Sequence, residues 1–464
     1  MLRRIGLSPV LLLLTILCAG WLALGAQIAQ SQEAPVGKVT SFKLDNGLQI
    51  AVIEDHRVPV VTHMVWYKIG SIDDPQGKSG LAHLLEHLMF KSCNLAREAK
   101  AESFSSAIAR LGAIDNATTH HDTTHYFQRV AKEGLRDVMA LEAGRMAQLI
   151  FKEDEVLTER NVVREERRSN IESEPIKLLA EQLTGTLYLN HSYGRPPIGW
   201  SYEIAGLTLE DARAAYERFY VPANAIVVIA GDVTPDEVRT LAAETYAKIQ
   251  SGRKVPERLR TAEPEPITSR RLTLADARVP QPAFFRYYLA PSFASAKPME
   301  AESLEVLMTI LGDGETSRLY RALVTQSKTA LGVGARYSGE GRDSGRIVVF
   351  AIVPDAKALA ATEAKLDEAL EDVVKNGIRE EELDRAKTAI EARLIIESDN
   401  QMKLATRYGQ ALAVGRTLEA VTELPERITK VTKADVDAAA HSFLVLRRSV
   451  TGNLVPAENE KSVK

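Results

Sequence analysis

The sequence predicts an α+β protein made of two similar domains, each a mainly antiparallel sheet covered by helices. Three observations carry that expectation: a strand–turn–strand pattern opens the globular region, helical periodicity fills most of the remaining chain, and the second half repeats features of the first. A chain of 464 residues exceeds what one core ordinarily serves, so two large domains are expected. With 45% hydrophobic and 26% charged residues, the composition is that of a globular protein and excludes a disordered or fibrous chain. The formal charge is -4, and the 58 basic residues are scattered through helical patterns, so a nucleic-acid-binding stripe is excluded.

The first 26 residues stand apart. Arg3 and Arg4 precede an apolar run from Pro9 to Ala26, and the polar stretch QIAQSQEAP comes after it, which is the order of a secretory signal. The reading is export, with cleavage after Ala26. The alternative is an N-terminal membrane anchor, because the run is near the lower limit of about 17 residues for a spanning helix. Removing residues 1–26 takes Cys18 with them and leaves Cys93 alone, so no internal disulfide is expected.

Next, FKLDNGLQIAVIED reads as a strand, a turn at Asn46 and Gly47, and a second strand, and VVTHMVWYKIG reads as a third. Helical patterns dominate from there to about Ile249, with one strand in ANAIVVIAGDV. The first domain therefore spans residues 36–250. Ser251 to Arg271 is rich in Pro and charge and reads as a linker, leaving 272–456 as the second domain. DHRVP at Asp55–Pro59 recurs as DARVP at Asp276–Pro280, 221 residues on. EDARAAYERFY at Glu210–Tyr220 recurs loosely as ADVDAAAHSFL at Ala434–Leu444, 224 residues on. Sliding LAHLLEHLMF by 221 residues lands on ESLEVLMTIL, where Leu304, Leu307 and Met308 replace His83, Glu86 and His87.

The stretch GLAHLLEHLMFK, Gly80 to Lys91, carries the chemistry. At about 100° per residue, Leu81, Leu84, Leu85 and Leu88 form one stripe, and His83, Glu86, His87 and Phe90 fall nearly opposite. Ser79 is the expected N-cap. Residues i and i+4 are neighbours on a helix, so His83 and His87 can bring two imidazole nitrogens to one ion, with the Glu86 carboxylate beside them. Metal-assisted hydrolysis needs such a pair, a third protein ligand, room for water and a base. In VLTERNVVREERRSN, Glu159 and Glu166 project between Val162 and Val163, whereas Glu165 points away. Two partly buried carboxylates need positive charge nearby, from a divalent ion or from Arg160, Arg164 and Arg167.

HLLEH followed by ERNVVREE resembles the inverted zinc-protease signature of the pitrilysin, insulinase and mitochondrial processing peptidase family. The resemblance spans roughly Val36 to Pro456 and includes the DNATTHHDTTHYF segment. It implies a clamshell of two homologous domains and one zinc ion per chain, held by His83, His87 and Glu166. Glu86 is then the general base, Glu159 a supporting carboxylate behind the ligands, and Asn116 and Ala117 residues of an edge strand that receives a peptide substrate. His120, His121 and His125 are read as packing or surface residues.

One feature of the family is missing. Members that act alone carry an arginine and a tyrosine in the second half, and here Val324 and Val333 occupy that region; Arg336 and Tyr337 have the wrong spacing. The expectation is therefore a zinc-bearing subunit whose partner, a family paralogue, supplies the pair in a heterodimer, with a homodimer as the fallback. The implied function is an exported zinc metallopeptidase, in a bacterial periplasm, that hydrolyses peptides or unfolded segments. A catalytically silent scaffold and an envelope metal-binding subunit are the alternatives, and Glu86 argues against both because neither needs a base.

Overall fold

A computed structural model of the chain describes residues 37–91, 103–250, 255 and 257–457. The signal run, Cys93 and residues 251–254 and 256 of the expected linker lie outside the described residues.

The first sheet contains β1 (Val39–Lys43), β2 (Gln49–Glu54), β3 (Val60–Tyr67), β4 (Ile114–Thr119), β5 (Thr124–Ala131) and β6 (Ala225–Gly231), in the order β1-β2-β6-β3-β5-β4. The second contains β7 (Arg270–Asp276), β8 (Ala283–Ala290), β9 (Gly332–Ser338), β10 (Gly345–Ile352) and β11 (Ser449–Pro456), in the order β7-β11-β8-β10-β9. Without β1 the two orders correspond strand for strand, and in each the single parallel pair is in the same place, β2 with β6 and β7 with β11. The hairpin before β2 turns at Asn46 and Gly47, where Gly47 has φ +89°, a left-handed conformation that favours glycine.

β4 and β5 correct the periodicity reading, which placed helix there. β5 presents Thr124, His125 and Gln128 to the interior, so it lacks the apolar signature of a strand. Two of these are satisfied within the fold: the Thr124 hydroxyl donates to the Ile69 carbonyl (3.0 Å), and Gln128 accepts from His63 Nδ1 (2.9 Å) and donates to Glu142 (2.6 Å), with the Tyr246 hydroxyl 3.0 Å from His63 Nε2.

The helices that build and brace the site are α1 (Leu81–Leu88), α2 (Leu135–Ala147), α3 (Glu153–Arg167), α4 (Pro175–Leu187), α5 (Leu209–Phe219), α6 (Glu300–Gly312), α7 (Glu380–Ser398), α8 (Gln401–Ala413) and α9 (Lys433–Phe443). The loosely matching segments Glu210–Tyr220 and Ala434–Leu444 cover α5 and α9. Each helix opens with a capping box, Thr208 with Asp211 and Thr432 with Asp435.

Two helices are exchanged between the halves. Leu179, Leu183 and Leu187 of α4 pack on Ala283, Tyr287, Leu289 and Val450 of the second sheet. Leu404, Ala405, Tyr408 and Leu412 of α8 pack on Ala51, Ile53, Met64 and Trp66 of the first. β3 is therefore buried along nearly its whole length, since both faces of its sheet are covered, and its residues are apolar apart from the buried Thr62 and His63. Each buried leucine stabilises the exchange by about 1.5–3 kcal/mol.

The repeated Asp-x-Arg motif fixes where these helices begin. In the first half the Arg57 guanidinium forks onto Asp55 (Nε 2.7 Å, Nη2 2.9 Å) and donates to the Asp399 carbonyl (3.1 Å), just before α8. In the second half Arg278 forks onto Asp276 (Nε 2.9 Å, Nη2 2.6 Å) and donates to the Glu172 carbonyl (2.9 Å), just before α4. The recurrence seen in the sequence is thus one clamp used twice. The described part of the linker is also strapped down. Arg258 reaches Asp73 (2.8 Å), Arg260 reaches Asp343 (2.7 Å), and the Glu263 carboxylate accepts from the main-chain N–H groups of Leu189, Asn190 and His191 (2.8–3.0 Å). Its last two residues, Arg270 and Arg271, already belong to β7.

The hydrogen bonds from Arg57 outweigh burial and, with Gln401, hold the Asp55 carboxyl down to about 2. A depressed folded pKa contributes stability that is present above the ordinary carboxylate range and lost as pH falls through about 2. Asp55→Asn is therefore expected to lower stability by about 1–2 kcal/mol near neutral pH, with the deficit shrinking below pH ~4. Thermal unfolding of both proteins across pH checks this; a deficit independent of pH would contradict it.

Candidate metal centre

α1 begins at Gly80, whose φ of +88° turns the chain sharply into the helix. A Cβ there would lie 2.7 Å from the Ile198 carbonyl, and one on Gly199 opposite would lie 2.5 Å from the Ser79 carbonyl, so the two backbones touch. The expected cap is corrected: Ser79 Oγ accepts from the Trp200 N–H (2.9 Å) instead of capping α1. The Asp74 carboxylate takes the N–H groups of Gly80 (2.8 Å) and Ala82 (2.9 Å) in its place. Burial raises the Asp74 pKa to about 7 against the lowering effect of those two bonds.

The leucine stripe of α1 is at most 5% exposed and packs into the first core, so the opposite face is held towards a cavity of about 840 Å³. There the ligand atoms of His83, His87 and Glu166 lie within 4.8 Å of one another. Glu166 Oε2 is 3.7 Å from His83 Nε2 and 3.3 Å from His87 Nε2. On the far side of His87, Nδ1 meets Glu159 at 3.2 Å, and Lys91 pairs with the other Glu159 oxygen at 2.8 Å. Glu86 stays outside this set, and its carboxylate accepts from the Thr119 hydroxyl at 2.5 Å.

Burial and the neighbouring His87 hold His83 down at about 4, which keeps it neutral and able to donate a lone pair. Burial also pulls His87 down, but the bonds to Glu159 and Glu166 outweigh it and raise its pKa to about 9. The bond from His87 holds Glu166 below its ordinary range. Glu159 is lowered too, where His87 and Lys91 overcome burial. Burial pushes Glu86 up despite the Thr119 bond. Two imidazole nitrogens and one carboxylate oxygen fit zinc, which takes N and O donors and in hydrolytic sites has three protein ligands and an open position.

The helix-face reading of α3 needs one amendment: Val163 is buried, but Val162 is 44% exposed. The arginine alternative for the two glutamates does not form. Arg160 donates to the Leu207 carbonyl, Arg167 to Glu181, Glu172 and the Gly199 carbonyl, and Glu165 pairs with Arg168.

Asn116 and Ala117 lie on β4, which among the described residues pairs only with β5 and leaves its other edge open to the cavity. The Ala117 N–H donates to Asn116 Oδ1 and its carbonyl accepts from the Thr118 hydroxyl, both at 2.8 Å, so both main-chain groups point to the open edge. His125 stacks on Trp66 (centroids 4.0 Å apart) and His121 meets the Ser71 hydroxyl (3.0 Å), and no second metal-competent cluster occurs among the described residues.

In the second half, Leu304, Leu307 and Met308 are buried in the core. The face that borders a cavity beside β9 carries Glu305, Met308 and Thr309, one residue out of step with the expected alignment. Glu305 is ion-paired there with Arg393 of α7, so an arginine and a carboxylate stand where α1 and α3 bring histidines and a glutamate together. Val324 and Val333 pack against the second core, and Tyr337 donates to the Pro291 carbonyl (2.6 Å), so none of them lines the His83 cavity. Residues of that cavity which sequence reasoning missed are Thr119, Lys177, Arg195 and Arg346. Their spacing along the chain carries no motif.

Residues 49–199 match the insulinase family (peptidase family M16), and residues 206–390 match the family's inactive peptidase domain. The chain is 30% identical over 456 residues to the zinc protease PqqE of Helicobacter pylori, covering 98% of each. It is 27% identical over 424 residues to an uncharacterised zinc protease of Streptomyces coelicolor, covering 90% of each. Among solved structures, a protease from Helicobacter pylori superposes with a TM-score of 0.82 at 30% identity, covering 91% of this chain and 100% of that one.

Glu159 hydrogen-bonds the candidate ligand His87 from outside the cluster, so Glu159→Gln is expected to weaken zinc binding by about 10–100-fold while leaving one site. Competition with a chromophoric chelator checks this, and an unchanged affinity would remove Glu159 from the site's support.

Proposed function

The chain belongs to the insulinase family of peptidases, family M16, and on that premise we propose that it is a zinc metalloendopeptidase acting on peptides and unfolded segments. The observation that carries the proposal is the convergence of His83, His87 and Glu166 with Glu86 beside them yet outside the ligand set. In this reading one zinc ion per chain is held by those three residues, and Glu159 with Lys91 fixes the orientation of the His87 ring. Zinc supplies Lewis acidity, lowering the pKa of water towards about 7 and polarising a carbonyl.

The rest is the work of the chain's own residues. Glu86 accepts the proton of the attacking water and passes it to the leaving amine. Burial raises its pKa above the ordinary carboxylate range, which favours taking a proton, and the Thr119 hydroxyl fixes the carboxylate for the task. The open edge of β4 receives the substrate as an added strand through the Ala117 main chain. A silent scaffold or a metal-binding subunit would have no use for Glu86.

With no arginine–tyrosine pair from the second half lining the cavity, the proposal includes a family paralogue as partner, and a homodimer otherwise. The domain limits 36–250 and 272–456, and export to a bacterial periplasm after cleavage of residues 1–26, with an N-terminal membrane anchor as the alternative, belong to the same proposal. No helix among the described residues is long and apolar enough to cross a membrane.

Glu86→Gln is expected to keep one zinc per chain and to lose about 10²–10⁴-fold in peptide hydrolysis. Metal analysis beside a peptidase assay checks it; full activity in the variant would end the general-base assignment. Full activity of the purified chain, with no relative recovered by pull-down, would end the two-chain proposal.

A further inference from the structure

We propose that Arg346, supported by Arg195 and Lys177, forms a carboxylate-binding subsite of the cavity and selects substrates with an acidic side chain on the N-terminal side of the cleaved bond. This rests on the peptidase reading and goes beyond it, because nothing in that reading assigns a role to these cations.

Three carboxylates and three cations line the cavity, and they do not pair with one another. Its carboxylates are already engaged: Glu166 with the histidines, Glu86 with Thr119, and Glu181 with both terminal nitrogens of Arg167 (2.9 and 3.1 Å). Lys177, Arg195 and Arg346 line the same cavity, and among the described residues none is ion-paired with a carboxylate. Arg195 donates to the Asp74 carbonyl (3.1 Å), and its charge acts on the nearby Asp74 carboxyl.

Arg346 is the best placed of the three. It is the second residue of β10, and its side chain crosses to α4, where Nη1 donates to the Thr184 hydroxyl at 3.0 Å. The guanidinium carbon lies 5.3 Å from the centre of the Tyr287 ring, and Nε is buried without a partner. A guanidinium has five donors in a planar fork that matches a carboxylate. Holding it half-buried with donors unused is unfavourable unless something else supplies the anion.

Position gives the direction. Arg346 also lines a neighbouring cavity of about 410 Å³ together with His120 and His121, the residues of the turn that follows β4 at Thr119. β3, β5 and β4 pair antiparallel, and a substrate strand that continues this pattern runs from the His121 end towards Ile114. Substrate residues near Arg346 then precede the bond held near Glu86. Arg346 lies past the Thr119 end of β4, which sets the acidic residue a few positions before that bond.

The test uses the full chain carrying Glu86→Gln, loaded with zinc, and a fluorescent peptide blocked at both ends in which one Glu is moved position by position against Gln. Anisotropy is expected to show binding about tenfold tighter for Glu at one position, which lies on the N-terminal side. Adding Arg346→Gln should abolish the difference, Arg346→Lys should keep part of it, and Arg346→Glu should turn the preference to Lys. Equal binding at every position, or a preference that survives Arg346→Gln, would overturn the proposal. So would a gain confined to a peptide whose only carboxylate is its free C-terminus. Binding is read here without turnover. Wild-type chain that cleaves no peptide would therefore sink the peptidase reading alone, and cleavage with no acidic preference would sink this inference alone.

Discussion

His87 sits between two carboxylates, and the positive charge which that arrangement demands is the constraint on which the site depends. Glu159 on one side and Glu166 on the other raise the affinity of this imidazole for a proton, against the effect of burial. His83, one turn earlier, is driven the opposite way, so the two histidines cannot both be charged. A proton on His87 or a divalent cation meets the demand, and the cation also uses the lone pairs of His83 and Glu166. In the second half the same place in the fold is settled by a single ion pair, Arg393 with Glu305, which needs no metal.

The fold keeps α1 and α3 in register by burying what lies behind them. The leucine stripe, the Asp74 cap and the contact between Gly80 and Gly199 set the axis and start of α1. The buried Glu142–Arg145 pair of α2 works from the other end, where Arg145 donates to the Met89 carbonyl (3.2 Å) just past α1 and lies over the Phe104 ring (3.7 Å). The exchange of α4 and α8 then ties this half to the other. α4 does two jobs: its leucines face the second sheet, while Lys177, Glu181 and Thr184 face the cavity. A cavity wall is thus made from the joint between the halves.

Much of this was legible in the sequence, and the limits of legibility are physical. A helix with leucines on one face and His83, Glu86 and His87 on the other declares its chemistry because period and residue type are both local. Glu159 and Glu166 were legible for the same reason, two turns apart on one stripe. Asp74 was not, because its capping role depends on a left-handed glycine six residues later and a loop more than a hundred residues away. β5 was hidden because it buries polar side chains such as Gln128, which is satisfied by His63 and Glu142, partners that no local pattern shows. The Asp-x-Arg repeat could be seen, but its purpose could not, since the helix ends it clamps belong to the other half of the chain.

X-ray absorption at the zinc edge of the purified chain tests the central claim most directly, because it reads the ligands themselves. The account predicts nitrogen and oxygen neighbours at about 2.0–2.2 Å with multiple scattering from two imidazoles, and one imidazole fewer in His83→Ala. A sulfur neighbour at about 2.3 Å, or a spectrum unchanged by that substitution, would place the metal elsewhere and contradict it.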